Sequence, residues 1–339
     1  MIRCIISLIA VAALVSPALA GDDGEVNMKL ATVAPKGTPW SDLLERYKAA
    51  VDEKSGGKMK VRAFLGGVKG DEQSIARQVY KGSLQMGGVS TGAIAAIVPD
   101  MDILELPYLF DDFQQADAIL DQVRPIVEKL LEEKGFKLVM YSENGYRSFG
   151  MKAFDGAPEK ERFIHGPADL NAVKMRSQES PVHVAMYRAL GASPVTIAVG
   201  EVLSSLQTGV VEGVDNTPLF IQAVSWQQAI QYFTVSEHIY QPALLVVNKA
   251  WYDGLPPDLQ TAVLAPKEAL EAKGRMAVRS LGPLLLKNFE AQNVKVYKQT
   301  PDEKKAMQAA TRPTWAARRE QASETGKQLF DAIMKAKGL

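Results

Sequence analysis

The chemistry this sequence can offer is concentrated in a few polar residues that follow apolar runs. In "NAVKMRSQESP" (171–181), Arg176 closes an apolar-leaning segment, and Ser180 and Pro181 then supply an N-cap and a first helical residue for "VHVAMYRALG". A guanidinium so placed stands between a strand end and a helix start, where open sheets bind ligands. Its planar fork matches a carboxylate in two parallel bonds, stays charged at any working pH, and adds to the positive potential of the helix N-terminus. Arg147, in "SENGYRSF", follows a second apolar run, "FKLVMYS", and Asn216, in "EGVDNTP", follows a third. Three polar groups at the ends of three apolar runs are placed to converge on one cleft.

Catalytic chemistry has little to draw on. The chain contains one cysteine, Cys4, and no G-x-S-x-G elbow or H-E-x-x-H pair. His165, His183 and His238 lie far apart without metal-ligand spacing, and His183 reads as an ordinary exposed or packed helix residue. "LGGVKGDE" has the glycines of a phosphate loop but not its G-K-[ST], so it reads as a plain strand-to-helix turn. No metal or cofactor is called for on these grounds.

The elements that must position the arginines alternate along the chain. A strand over 26–34, a Pro/Gly turn and an amphipathic helix capped by Ser41 with Leu43, Leu44, Tyr47 and Val51 on its apolar face open the pattern. "KMKVRAFL" alternates as a strand, a helix carries Ile75, Ala76, Val79 and Tyr80, and "QMGGV" is a short strand. This spacing predicts an α/β fold with a mostly parallel sheet covered by helices. The same grammar restarts after residue 145, with strands at 194–199, in "VVEGV" and at 243–249, and a helix in "GEVLSSLQTG". The last 60 residues or so read as helical, and "APKEALEAKGRMAVRSLGPLLLKNFEAQ" is long enough for one helix spanning two lobes. No Gly/Ser/Pro-rich linker separates the halves, which predicts two lobes crossed more than once by the chain, with a cleft and a hinge between them. The expected division is 21–144 with 242–281 against 145–241 with 282–339.

Residues 1–20, "MIRCIISLIAVAALVSPALA", read as a cleaved signal peptide: Arg3, an apolar core, and Ala18-Leu19-Ala20 as the cleavage site. Cys4 precedes the apolar core and is no lipoprotein cysteine, so the mature chain should begin at Gly21, carry no cysteine and reside in the periplasm. Lysine plus arginine equals aspartate plus glutamate at 39 each, which argues against nucleic acid or an anionic membrane as partner. Beyond the leader no stretch approaches 18 consecutive apolar residues, so no direct membrane insertion is expected.

The block "VKMRSQESPVHVAMYRALGASPVTIAVGEVLSSLQTGVVEGVDN" closely resembles the periplasmic solute receptors of tripartite ATP-independent periplasmic (TRAP) transporters, whose pattern is K-[IM]-R, a helix ending A-L-G-A, a strand, and G-E-x-x-x-x-L-Q-T-G-V-V-[DE]-G before an asparagine. "LATVAPKGTPW", "EKSGGKMKV", "GDE", "ELPYLF" and "SEHIYQP" fall in the family's order, so the resemblance covers essentially the whole mature chain. It implies a two-lobed binding-protein fold closing on a small organic acid, with Arg176 as the carboxylate ligand, Arg147 sharing it, and Asn216 as an amide contact. Trp40, Ser90 and His238 match positions that line the cleft in other members. "VDNTP" and "RSQES" depart from the commoner Q-E-N-P-like and R-V-P runs, which leaves the far end of the ligand open. Some relatives bind the acid with a cation, and Gln207 and Asp215 would offer oxygens nearby. The implied partners are the acid and the membrane subunits of a TRAP permease, with the receptor itself a monomer and no enzyme. The alternatives are a sensor feeding a signalling protein, the receptor of an ATP-driven importer, which would lack "LQTGVVEG", and a periplasmic hydrolase, for which no nucleophile–base pair is evident.

Overall fold

The computed structural model describes residues 25–339; the signal-peptide reading of 1–20 lies outside the described residues. Among the described residues nine strands form one sheet: β1 (Val26–Thr32), β2 (Met59–Phe64), β3 (Met86–Ser90), β4 (Phe136–Met151), β5 (Lys174–Ser177), β6 (Ser193–Thr196), β7 (Gly213–Asn216), β8 (Tyr232–Asn248) and β9 (Lys295–Lys298). Their order is β2-β1-β3-β8-β4-β7-β5-β6, with β9 on β8.

The flanks are parallel, as strand–helix–strand crossovers require: β2 and β3 on β1, β6 and β7 on β5, and β9 on β8. The centre is antiparallel, which makes the sheet mixed rather than mostly parallel. There β4, with 16 residues, and β8, with 17, run side by side through both halves of the molecule. The first half of β4 meets the second half of β8 beside β3, and its second half meets the start of β8 beside β7 and β9. Only segments of these strands stand out in sequence, because polar residues sit where they pass from one half to the other. The ladder slips register at Leu138/Met140, Glu143/Gly145 and Arg147/Phe149, and Gly145 has φ +90°, a backbone favouring glycine. Those slips bend the strands at the crossing.

Two apolar cores cover the two faces of the first half of the sheet. One is built around Leu44, Tyr47 and Val51, the other around Leu120, Val123 and Val127. Two more cover the second half, around Met175, Met186 and Tyr187 and around Leu206, Val214 and Trp226. The chain's last helix, Glu324–Ala336, places Leu329 and Ile333 in the core with Leu120, so part of 282–339 packs with the first half rather than the second. The expected long helix is two, Lys267–Arg279 and Gly282–Ala291. Pro283 lacks the N–H that would bond the Arg279 carbonyl, so the ladder breaks there. Arg279 clamps this junction to β4, its Nε 3.0 Å from Glu143, and to the helix Phe113–Glu132, its Nη1 2.7 Å from Asp117.

Local signals hold with two amendments. The first helix is Pro39–Lys54, capped by Thr38, and Ser41 is the third residue of a capping box whose hydroxyl returns to the Thr38 N–H. Ser180 does precede Pro181–Ala189, but its buried hydroxyl makes no capping bond.

Candidate functional site

Between the two halves lies a cleft whose empty space, open to solvent at its mouth, amounts to about 630 Å³. The first half supplies Thr32, Thr38, Trp40, Glu72 and Gly88, the crossing strands supply Asn144, Arg147 and Gln241, and the second half supplies Arg176, Gln178, Asn216 and Thr217. Val199, Leu219, Phe220 and Ala223 form an apolar wall. Trp40 anchors one side, its Nε1–H donating to the Glu143 carbonyl at 3.2 Å and to Asn144 Oδ1 at 3.0 Å. Gly88 lies against its ring, where an added Cβ would stand 3.0 Å from Trp40 Cζ3.

Arg147 and Arg176 both reach the cleft, and their surroundings differ. Arg147 is fully buried on β4, just before a register slip. Its Nε is 2.6 Å from Asp215 Oδ2, and its Nη2 donates to the Asp215 carbonyl at 2.7 Å. Asp215 also accepts from the Tyr187 hydroxyl at 2.5 Å and lies 3.2 Å from His238 Nε2. Against burial, which favours the neutral acid, Arg147 and His238 hold its carboxyl well below the ordinary range, so it stays ionised and balances Arg147. Only Nη1 of Arg147 turns elsewhere, toward Gln178 at 3.5 Å and Asn216 at 3.4 Å.

Arg176, at the end of β5, is 2% exposed. Its Nε and Nη2 both donate to the Ile197 carbonyl, at 3.0 and 2.8 Å, and its guanidinium carbon lies 5.4 Å from the Trp226 ring centre. Among the described residues no carboxylate bridges to it, and Nη1 makes no hydrogen bond. Burial and the neighbouring Arg147 charge lower its pKa to about 10, which still leaves it a cation at neutral pH. A buried, uncompensated charge is costly, and here it faces an open cleft. Among the described residues its charge is left without a carboxylate partner on the cleft side.

Trp40, Arg147, Arg176 and Asn216 are thus brought together, while two other candidates are not cleft residues. Ser90, at the end of β3, is fully buried and does not line the cleft; its N–H and hydroxyl hold Glu72 at 2.8 and 3.0 Å. His238 is fully buried one layer below, stacked on Phe149 at 4.1 Å and bonded to Ser236 and Asp215. Burial holds it neutral against the pull of Asp215. Both act on the cleft through another residue. Asp215 has both oxygens occupied and Gln207 is exposed outside the cleft, so the pair does not form a cation site. His183 is fully buried, with Nε2 2.7 Å from Glu105; that carboxylate also holds Thr91, the Gly92 N–H and the cleft's Gln178.

Glu72, Gln178, Gln241 and Asn144 were missed as cleft residues. Glu72 had a signal, since it closes the "GDE" landmark at a helix start. The others are ordinary amides made important only by where the strands cross. Glu72 is partly buried, and desolvation raises its carboxyl to about 7 despite the two bonds from Ser90.

Residues 30–322 match the family DctP, bacterial extracellular solute-binding protein, family 7. A solute-binding protein of Verminephrobacter eiseniae is 32% identical over 261 residues, 73% of this chain and 75% of its own. The fold superposes with a TM-score of 0.83 on the sugar acid binding protein DctPAm of Advenella mimigardefordensis in complex with galactonate, at 26% identity over 92% of this chain and 99% of that one. It does so equally, at 0.83, on a TRAP periplasmic solute binding protein of Roseobacter denitrificans with bound β-D-glucuronate, at 25% identity over 91% and 98%. With the two-lobed mixed sheet, the cleft and the unpaired arginine already in place, this chain belongs to the DctP family of extracellular solute-binding proteins, the solute receptors of TRAP transporters.

Proposed function

We propose that this receptor binds a small organic acid in the cleft, with Arg176 as the direct carboxylate ligand, Arg147 Nη1 and Asn216 orienting it, and hands it to the membrane subunits of a TRAP permease. The observation that carries the reading is the buried Arg176 cation with a free Nη1 and no counter-anion. A ligand carboxylate supplies the missing charge where two charge-assisted bonds are strongest. The galactonate and glucuronate held by the two superposed proteins are acids of this kind.

No reaction on the ligand is proposed. Ser236, His238 and Asp215 do lie in hydrogen-bonding sequence, at 2.7 and 3.2 Å, but all three are fully buried, and Asp215 is committed to Arg147. No substrate carbonyl can reach that serine. The receptor acts by closing: 21–144 with 242–281 forms most of one lobe and 145–241 most of the other, hinged where β4 and β8 slip register. The ligand favours closure only by its higher affinity for the closed form. The mature receptor works as a periplasmic monomer beginning at Gly21, and N-terminal sequencing of exported protein tests that start. Among the described residues no helix is long and apolar enough to cross a membrane.

A thermal-shift screen over organic acids identifies the ligand, since an excess of about a hundredfold over Kd stabilises by roughly 2.7 kcal/mol. Calorimetric titration then tests Arg176→Ala. Two charge-assisted bonds and a stranded ligand charge predict an affinity loss on the order of a hundredfold to several thousandfold. A loss within about threefold would remove Arg176 from the site.

A further inference from the structure

Only three charged side chains line the cleft among the described residues: Glu72, Arg147 and Arg176. Arg147 is balanced by Asp215 at 2.6 Å, so the site presents one free positive charge, at Arg176. The third charge is a carboxyl. Glu72 lines both the main cleft and a side groove that continues from it past Arg176 and Gln178. Ser90 fixes each of its oxygens once, through the backbone N–H on Oε1 and the hydroxyl on Oε2, leaving further acceptor capacity on both. Every other side chain of the lining is uncharged, among them the amides of Asn144, Gln178, Asn216 and Gln241.

A ligand carboxylate on Arg176 therefore exhausts the positive charge of the cleft. A second carboxylate would find no free cation, only amides, hydroxyls and the Glu72 carboxylate. A hydroxyl in its place would find an acceptor. We infer that Glu72 selects acids whose only carboxylate is the one held by Arg176 and whose other polar groups are hydroxyls, and disfavours diacids of the same length. This rests on the reading that the cleft binds an organic acid through Arg176, and it adds which acids are admitted. The rejection depends on Glu72 being ionised. The groups bearing on it are Arg147 of β4 and Arg176 of β5, which favour ionisation, Glu105 behind Gly92, which opposes it, and Asp71 and Glu179, which flank the side groove. With its carboxyl near 7, the selection is strongest above neutral pH and fades in acid.

The test is calorimetric titration at pH 8 with two matched pairs: gluconate against glucarate, and threonate against tartrate. Each pair shares a hydroxylated chain and differs only in whether the far terminus is an alcohol or a carboxylate. In the wild type the monoacid of the better-binding pair should be favoured by about tenfold or more, as like charges in a partly dry cleft require. Glu72→Gln should cut that preference to about threefold or less by strengthening the diacid, and pH 5.5 should do the same in the wild type but not in the variant. A diacid that binds the wild type as tightly as its monoacid overturns the inference, and so does a preference unchanged in Glu72→Gln. Binding by none of the four also overturns it. Whether the organic-acid reading falls as well is then read from the wider acid panel, where it survives if any acid binds in an Arg176-dependent way.

Discussion

Arg147 and Arg176 reach the same cleft from neighbouring parts of one sheet and are almost equally buried, yet they do different work. Arg147 sits within a strand that runs through both halves, and its charge is answered inside the protein by Asp215, itself braced by Tyr187 and His238. Arg176 sits at the end of a short strand, leans on a carbonyl and an indole, and has no carboxylate. The first is part of the fold and shows one nitrogen to the cleft. The second is left without a counter-charge at some cost to the protein, and on the proposed reading it is the one that meets the ligand. Burial of an arginine therefore says little about function until its counter-charge is found.

The sharpest way to break this comparison is to delete each arginine in the unliganded protein. Arg147→Ala strands Asp215 as a buried, unpaired carboxylate and should cost about 3–5 kcal/mol in chemical denaturation. Arg176→Ala removes an unbalanced charge and should cost less than about 1 kcal/mol, or stabilise, since the lost packing against Trp226 is offset by relief of the buried charge. Equal losses would erase the distinction.

The third charge of the cleft gives a pH-dependent effect of intermediate size. Glu72 is raised from 4.5 to about 7 on folding, so the folded state holds its proton more tightly than the unfolded chain does. Stability from this group is complete below about pH 4.5 and is lost as pH rises toward 7, by about 2–3 kcal/mol at roughly 1.4 kcal/mol per pKa unit, discounted for partial exposure. His238 has the opposite slope below about pH 6.5, because it is buried neutral. Subtracting the stability curve of Glu72→Gln from that of the wild type isolates the carboxyl. A flat difference between pH 5 and 8 would show that Glu72 is not buried against its charge.

A smaller effect separates bracing from binding. Tyr187→Phe removes one donor from ionised Asp215 and should cost about 1.5–2 kcal/mol of stability, while ligand affinity changes less than about threefold, since the tyrosine does not line the cleft. An affinity loss that matches the stability loss would mean the Asp215 brace governs how Arg147 meets the ligand.

The smallest effect concerns the helix that follows Arg176. Ser180→Ala should change stability by less than about 0.5 kcal/mol, against the ~1 kcal/mol usual at an N-cap, because its hydroxyl caps nothing. A full capping loss would require the hydroxyl to bond the helix in solution.

What the sequence determined by itself is what depends on near neighbours in the chain. The first helix is legible within three residues of its start, with Ser41 reading as the cap in place of Thr38, Pro181 starts another, and the apolar stripes assign their buried faces, because caps and periodicity act over a few residues. The contiguous block around Arg176 also pointed to the family and to two of the cleft residues, Arg176 and Asn216, while Arg147 and Trp40 came from separate stretches. The tertiary structure decided the rest. It joined segments into the two long strands β4 and β8, whose polar middles are hidden only once both halves of the sheet are present. It sent the last helix back to the first half, a choice made by the fit of Leu329 and Ile333 to a distant core rather than by local propensity. It took His238 and Ser90 out of the cleft and put Glu72, Gln178 and Gln241 into it, because which face of a strand meets a ligand depends on the partner strand's register. Above all it settled which arginine is free. Asp215 is 68 residues from Arg147 along the chain and 2.6 Å from it in space, and charge balance is a property of distances that no short stretch of sequence contains.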